Sequence, residues 1–346
     1  MQALSPPPVC RGVGDNTVRL ETALTNSTRT LALKLRAHIK AAFLAGVVLL
    51  GPTSALAQTV TTYATGANNP FKLSFDRSGQ LYVAEPAFDR VSRVPVGGGS
   101  ATLVVINTPG SGLGGIIGPD DALYVPNENG EVYRYAPGAT TADASAYATG
   151  FAGRLYALAF DDAGRLYGAT YDTATIYRTP SGGGAASSVC TLPTGTFTIV
   201  ISAAGNPLAV SESDARIYQC AGSTVSTFGV LPDGDNYALT KDAEGNIYSG
   251  LFSGANAGEI YRFPPNGGAS TLVARVQGAS IYSLAFKNAD LYAGDFNTST
   301  VLRIANVAPP PAPAPVPTMT EWAMILFAMM LAGGAALHLQ RRRQFA

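Results

Sequence analysis

The sequence predicts an all-β chain whose body is a six-bladed β-propeller, between a cleaved N-terminal signal segment and one C-terminal transmembrane helix. Three observations carry this: a six-fold repeat of about 42 residues, a charge-poor and Gly-rich composition, and apolar segments at both ends. Only 13% of the 346 residues are charged and 38 are Gly. Such a composition suits many short strands joined by tight turns. It excludes a charged disordered tail and a coiled coil.

The N-terminal segment, residues 1–57, has the features of an export signal. Lys34, Arg36 and Lys40 precede an apolar run from Ala41 to Leu50, too short to span a bilayer, and Gly51-Pro52 break it. Ala55 and Ala57 put small residues where a signal peptidase requires them, so cleavage is expected before Gln58. Residues 1–33 are polar and make an n-region longer than usual. Either the true initiator lies near Leu31 to Leu35 or the leader is a genuine long one.

The body, residues 58–307, repeats itself six times. A Leu-Tyr-like pair recurs at Leu81-Tyr82, Leu123-Tyr124, Leu166-Tyr167, Leu208-Ala209, Ile247-Tyr248 and Leu291-Tyr292. An apolar strand precedes most pairs, as at Phe71 to Phe75, Leu155 to Phe160 and Ile281 to Phe286. Between strand and pair lie turns such as Asp76-Arg77-Ser78-Gly79 and Asp161-Asp162-Ala163-Gly164, whose residues bond locally or accept positive φ. A third strand follows, marked by Val91-Ser92-Arg93, Val132-Tyr133-Arg134, Ile176-Tyr177-Arg178, Ile217-Tyr218-Gln219, Ile260-Tyr261-Arg262 and Val301-Leu302-Arg303. Fourth strands are expected at Thr102 to Ile106, Ser145 to Thr149, Ser188 to Leu192, Val225 to Val230 and Thr271 to Val276. The sixth unit lacks one, and Thr59 to Tyr63 are free to supply it. Four strands per unit and six units make a propeller closed by its N-terminal strand. The Gly runs at 97–99, 182–184 and 267–268 lack the Lys-Ser/Thr of a phosphate loop and read as third-to-fourth-strand hairpins. The Tyr series reads mostly as blade core at period two, with a few rings left to line a face.

Candidate chemistry is sparse. The two histidines, His38 and His338, lie in the signal and the tail, so no His-based triad, metal site or general base exists in the body. Four residues past each pair start lie Glu85, Asn127, Thr170, Glu212, Leu251 and Asp295, expected to ring the channel mouth. Glu85, Glu212 and Asp295, with Asn127, are oxygen ligands suited to a hard divalent cation such as calcium. Asn69, Arg154, Asp235 and Asn236 from the inter-blade loops could join them. The other reading is that these side chains cap strand ends. Cys190 and Cys220 remain in the exported body, either as a disulfide or as two buried thiols. With 14 basic and 20 acidic residues the body would be repelled by phosphate backbones, so nucleic acid is not an expected partner.

The body resembles NHL-type and gluconolactonase-like six-bladed propellers. That resemblance implies a divalent metal held by Glu, Asn and Asp, though only Asn69 stands near the place of the family's early Glu. The scaffold itself hosts lyases, lactonases, binding proteins and structural domains.

Beyond the body, residues 308–315 form a Pro/Ala-rich linker, an extended spacer. Residues 316–346 hold Val316-Pro317-Thr318-Met319 with Trp322, an apolar segment from Trp322 to Leu339, and Arg341-Arg342-Arg343 as a membrane stop. At 1.5 Å rise the apolar segment spans roughly 27 Å, enough for a bilayer core. Motif, helix and basic cluster resemble the IPTL-CTERM sorting signal of Gram-negative bacteria, with Ala323 where the family has Gly. The resemblance implies an exosortase-type enzyme as partner, besides signal peptidase. The expected itinerary is inner-membrane anchoring on the periplasmic side, then delivery to the outer surface or medium. The expected function is a surface-associated binding module without catalysis. The alternatives are a metal-dependent lactonase-like hydrolase and a structural surface or matrix protein.

Overall fold

The computed structural model describes residues 58–106, 108–110, 112–211, 214–232, 234–308 and 326–331. The cleavage-site residues Ala55 and Ala57, the sorting residues Val316, Pro317, Thr318, Met319 and Trp322, and Arg341, Arg342 and Arg343 lie outside them, as do Glu212 and most of the expected membrane span. Among the described residues no helix is long and apolar enough to cross a membrane.

Six antiparallel sheets stand as the blades of a propeller. Blade 1 comprises Lys72–Phe75, Leu81–Glu85, Arg90–Val94 and Thr102–Ile106. Blade 2 comprises Ile116–Ile117, Leu123–Pro126, Val132–Tyr135 and Ala148–Thr149. Leu155–Phe160, Arg165–Thr170, Thr175–Ser181 and Ser187–Thr191 make blade 3, and Ile199–Ile201, Pro207–Val210, Arg216–Ala221 and Thr224–Val230 make blade 4. Blade 5 follows with Asn236–Lys241, Ile247–Leu251, Glu259–Phe263 and Thr271–Arg275. Blade 6 has Ile281–Lys287, Asp290–Asp295 and Thr300–Ile304, and its fourth strand is Val60–Thr65 from the other end of the chain. The register Val60↔Ile304, Thr61↔Arg303, Thr62↔Leu302 closes the ring as the sequence predicts.

Burial follows the radial layering. The second strands Leu81–Glu85 and Ile247–Leu251 are buried at every residue, because each of their faces packs on a neighbouring blade. Outermost strands bury little: Thr102–Ile106, Ser187–Thr191 and Thr271–Arg275 each sink one residue, Val105, Cys190 and Ala274. The first-to-second-strand turns are held by side chains. Asp76 accepts from the Gln80 amide at 2.8 Å, Asp161 from Arg165 at 2.9 Å and Asp242 from Asn246 at 2.8 Å, the local bonding that makes Asp a turn former.

Blade 4 departs from the sequence reading by one residue. Ile201 pairs with Pro207 as Phe160 pairs with Leu166, and Ser202 opens the turn as Asp161 does. The unit therefore begins at Pro207-Leu208, not at Leu208-Ala209. Proline at the first strand position, where its missing donor is harmless, hides the Leu-Tyr signature.

The Gly runs are third-to-fourth-strand turns that also reach sideways. Gly99 and Ser100 pair in parallel with Ala64 and Thr65 of the preceding blade, Gly184 and Ala185 with Ala148 and Thr149, and Gly268 bridges Gly229. Blades 1, 3 and 5 thus clasp blades 6, 2 and 4. Added Cβ atoms at Gly98, Gly183 and Gly267 would lie 2.3, 2.3 and 2.4 Å from the carbonyl oxygens of Tyr63, Tyr147 and Phe228. Gly183→Ala should therefore cost roughly 2–4 kcal/mol in urea unfolding, combining that clash with positive-φ strain. Gly182→Ala meets nothing within 4 Å at a similar φ and should cost about 1 kcal/mol, from strain alone. Equal losses would remove the clasp as an energetic feature.

A second lateral tie is covalent. Cys190, on the outer strand of blade 3, is bonded to Cys220, on the third strand of blade 4, with Cα atoms 6.3 Å apart.

Candidate functional site

The upper face of the ring carries the inter-blade loops and the second-to-third-strand loops. The lower face carries the first-to-second-strand turns. At the upper mouth stands one residue per blade, each five positions ahead of the residue that opens, or in blade 6 stands in place of, the turn below: Phe71, Leu113, Tyr156, Phe197, Tyr237 and Tyr282. Strand register shifts at Tyr156, Tyr237 and Tyr282. A bulge there re-aims the extra side chain out of the blade.

The rings meet across the channel. Centroids of Phe71 and Phe197, from opposite blades 1 and 4, are 6.0 Å apart in an edge contact. Phe71 lies 4.8 Å from Tyr282, Tyr156 lies 5.0 Å from Phe197, and Tyr237 stacks on Tyr282 at 4.8 Å. These separations are those of favourable aromatic pairs, so the mouth is closed by an aromatic plug. A second layer comes from the loops after the second strands: Tyr171 stacks on Phe197 at 4.7 Å, Phe252 meets Tyr237 at 5.0 Å, and Phe296 meets Tyr282 at 5.6 Å. Phe71 is buried, but the other seven rings are half-exposed. Together they form an aromatic patch on one face.

Polar groups fix its edge. Arg154 forks onto Asp172, with Nη2 to Oδ1 at 2.6 Å, and its guanidinium lies 5.4 Å from the Tyr171 centroid. That hydrogen-bonded guanidinium holds the Asp172 carboxyl below its ordinary pKa. Ser253 donates to Asp235 at 2.6 Å on the far side.

The residues expected at the mouth sit one strand further out. Glu85, Thr170, Leu251 and Asp295 end their second strands, Asn127 directly follows its own, and all five are at most 3% exposed. Glu85 Oε2 accepts from the Asn68 amide at 2.9 Å and from Arg90 Nε at 2.8 Å, while its Oε1 is buried without a partner. Asp295 accepts from the Ser280 amide at 2.9 Å, the Asn297 amide at 3.1 Å and Thr298 at 2.6 Å. Asn127 accepts from the amides of Asn129 and Glu131 and donates to Pro109 and Glu131. In blade 4 the register puts Ser211 at this position, one residue before Glu212. The side chains of Glu85, Asn127, Thr170 and Asp295 thus tie loops to their own blades, and Leu251 packs in the core. Among the described residues no three of His, Cys, Asp and Glu stand together as a group able to hold a metal ion. Of the inter-blade residues, Arg154 and Asp235 reach the aromatic edge, whereas Asn236 is buried against Ser249 at 2.7 Å. The aromatic collar escapes sequence reasoning because its bulges break the period-two pattern. The constant spacing to the turn residue is the signal that locates it.

Below the plug the channel opens into a cavity of about 370 Å³, reaching down to the lower ends of the innermost strands, at Phe75, Ile117, Phe160, Ile201, Lys241 and Phe286. Lys72 lines it just beneath the collar. Burial lowers its ammonium from 10.5 to about 7.

Residues 314–343 match the IPTL-CTERM motif, so the chain carries this motif at its C-terminus. No curated protein matches the chain in sequence. Solved structures share the fold at low identity. A gluconolactonase from Xanthomonas campestris is 13% identical with TM-score 0.59, over 72% of this chain and 89% of that one. A virginiamycin B lyase from Staphylococcus aureus is 15% identical with TM-score 0.53, over 67% and 79%. An auxiliary nutrient binding protein from Bacteroides ovatus is 14% identical with TM-score 0.56, over 72% and 76%. The body is thus a six-bladed propeller with gluconolactonases, lyases and binding proteins among its structural neighbours.

Proposed function

We propose that this chain is an exported, surface-associated propeller that binds a ligand or protein through the aromatic upper face. The half-exposed ring cluster is the observation that carries the reading, since rings of this kind supply large contact area at low entropic cost and concentrate at interfaces. The C-terminal motif supports export, with an exosortase-type enzyme as the processing partner and the outer surface or medium as the destination. Geometry adds a direction. The Ala305 amide donates to Thr59 at 3.0 Å, and the Ala308 amide to Ala289, in a lower-face turn, at 3.1 Å. The chain enters and leaves the propeller on the lower face, so a tether at either end leaves the aromatic face pointing away. A lactonase-like reading has no comparable support, because Glu85, Asn127 and Asp295 are occupied with their own loops.

The test is adsorption of the purified chain to Gram-negative envelope preparations. The double variant Tyr171→Ser/Phe252→Ser removes second-layer rings, and Val96→Ser alters a 57% exposed apolar residue on a lower-face hairpin. Saturable adsorption should weaken at least tenfold in the first, about 1.4 kcal/mol, and stay unchanged in the second. Equal adsorption by both variants would contradict the reading.

A further inference from the structure

The geometry points to the lower channel as a second binding site, for a small monocarboxylate with an apolar body, in which Lys72 is the counter-charge. This site is separate from the upper face and does not rest on its reading.

The first support is the missing partner. A charge withdrawn from bulk water is costly unless it is paired or hydrogen-bonded, and elsewhere the buried carboxylates of the propeller are met by cations or by several hydrogen-bond donors, as at Asp242 and Asp295. Glu85 has Arg90, Asp161 has Arg165 and Glu259 has Arg275. Among the described residues no Asp or Glu lines the cavity, so none of them faces Lys72 with a carboxylate. Its Nζ lies over the face of Phe71, 5.9 Å from the centroid. An anion entering the channel would supply what the chain withholds. The lowered Lys72 pKa agrees, since an ammonium held near neutrality by burial regains charge when an anion arrives.

Shape and lining select the rest of the ligand. The cavity, about 370 Å³, falls within the roughly 300–1,000 Å³ of small-molecule pockets, which are mostly apolar with a few placed polar groups. Leu73, Leu158, Ile199, Leu239 and Leu284 make its walls. At the level of Lys72 the opposite blade 4 contributes Thr198 and the neighbouring blade 6 contributes Ser283, whose hydroxyl is already donated to Pro70 at 2.8 Å. Blade 2 contributes Gly114, where an added Cβ would stand 3.6 Å from Lys72 Cγ. The lysine stem therefore lies against a position without a side chain. The plug closes the upper end, so entry is from below, past Phe75 and Lys241. A carboxylate at the blind end with its hydrocarbon toward the opening satisfies both the charge and the walls. A polyanion would find Lys72 alone at the blind end, with Lys241 only at the opening and apolar walls between them.

Decanoate and decanol are suitable probes, titrated calorimetrically into the full chain and into Lys72→Met and Lys72→Arg. The expected result is one saturable decanoate site, at least tenfold weaker in Lys72→Met and retained in Lys72→Arg, with decanol at least tenfold weaker than decanoate on the unaltered chain. The Cε signal of Lys72 in lysine-labelled chain should move with decanoate and not with decanol, a readout that needs no variant. Equal affinity for the two probes, full retention in Lys72→Met, or absence of decanoate binding would each overturn the proposal.

Discussion

Deleting Gln58–Thr65 should open the ring and lower stability by about 4 kcal/mol, counting roughly four strand hydrogen bonds at ~1 kcal/mol each. Val60, Thr61, Thr62 and Ala64 pair with Thr300–Ile304, and the Tyr63 ring packs edge-on at 4.7 Å from that of Tyr292. The same strand receives Gly99 and Ser100 of blade 1, so its loss frees both blade 6 and the blade 6 to blade 1 clasp. For a domain of this size the melting temperature should fall by roughly 10 °C. A synthetic peptide covering 58–66, added in trans, should restore part of the loss. An unchanged melt would mean that the ring closes without its N-terminal strand.

Replacing Cys190 and Cys220 together by alanine should produce the second large effect. The bridge closes a loop of sequence separation 30, for which loop-closure entropy gives about 3.6 kcal/mol. The midpoint of urea unfolding should fall accordingly, and reduction of the unaltered chain should reproduce the shift. The double variant should be insensitive to reductant. Because the bridge joins blade 3 to blade 4 at the rim, upper-face adsorption should persist below the new transition. An unfolding free energy within about 0.5 kcal/mol of that of the unaltered chain would show that packing of the two blades suffices.

Local chemistry explains which parts of this architecture the sequence reveals. Turns such as Asp76 to Gly79 are encoded within four residues, and second strands such as Leu81–Glu85 are encoded by their apolar run. The closing strand follows from counting, since five units have a fourth strand and the sixth does not. The register of blade 4 is obscured by a single Pro207. The clasp between Gly183 and Tyr147 is invisible because it depends on a partner from the preceding blade, 36 positions away in sequence. The collar is invisible for a related reason. Tyr156, Tyr237 and Tyr282 read as blade core at period two, and only the bulges turn them to the axis. Glu85 and Asp295 illustrate the converse, for a carboxylate near a channel reads as a ligand until its amide partners are seen. Asn68 and Arg90 occupy one, and Ser280, Asn297 and Thr298 the other.

The central claim is that the aromatic upper face is the surface that meets the partner. Hydroxyl-radical footprinting of the chain, free and adsorbed to envelope material, tests it most directly, because exposed aromatic rings report their own accessibility. Protection of Tyr171, Tyr237, Phe252, Tyr282 and Phe296 on adsorption, with unchanged labelling of Phe75, Phe160 and Phe286 around the lower opening, is the predicted result. Protection confined to the lower opening, with the upper rings still labelled, would contradict the account.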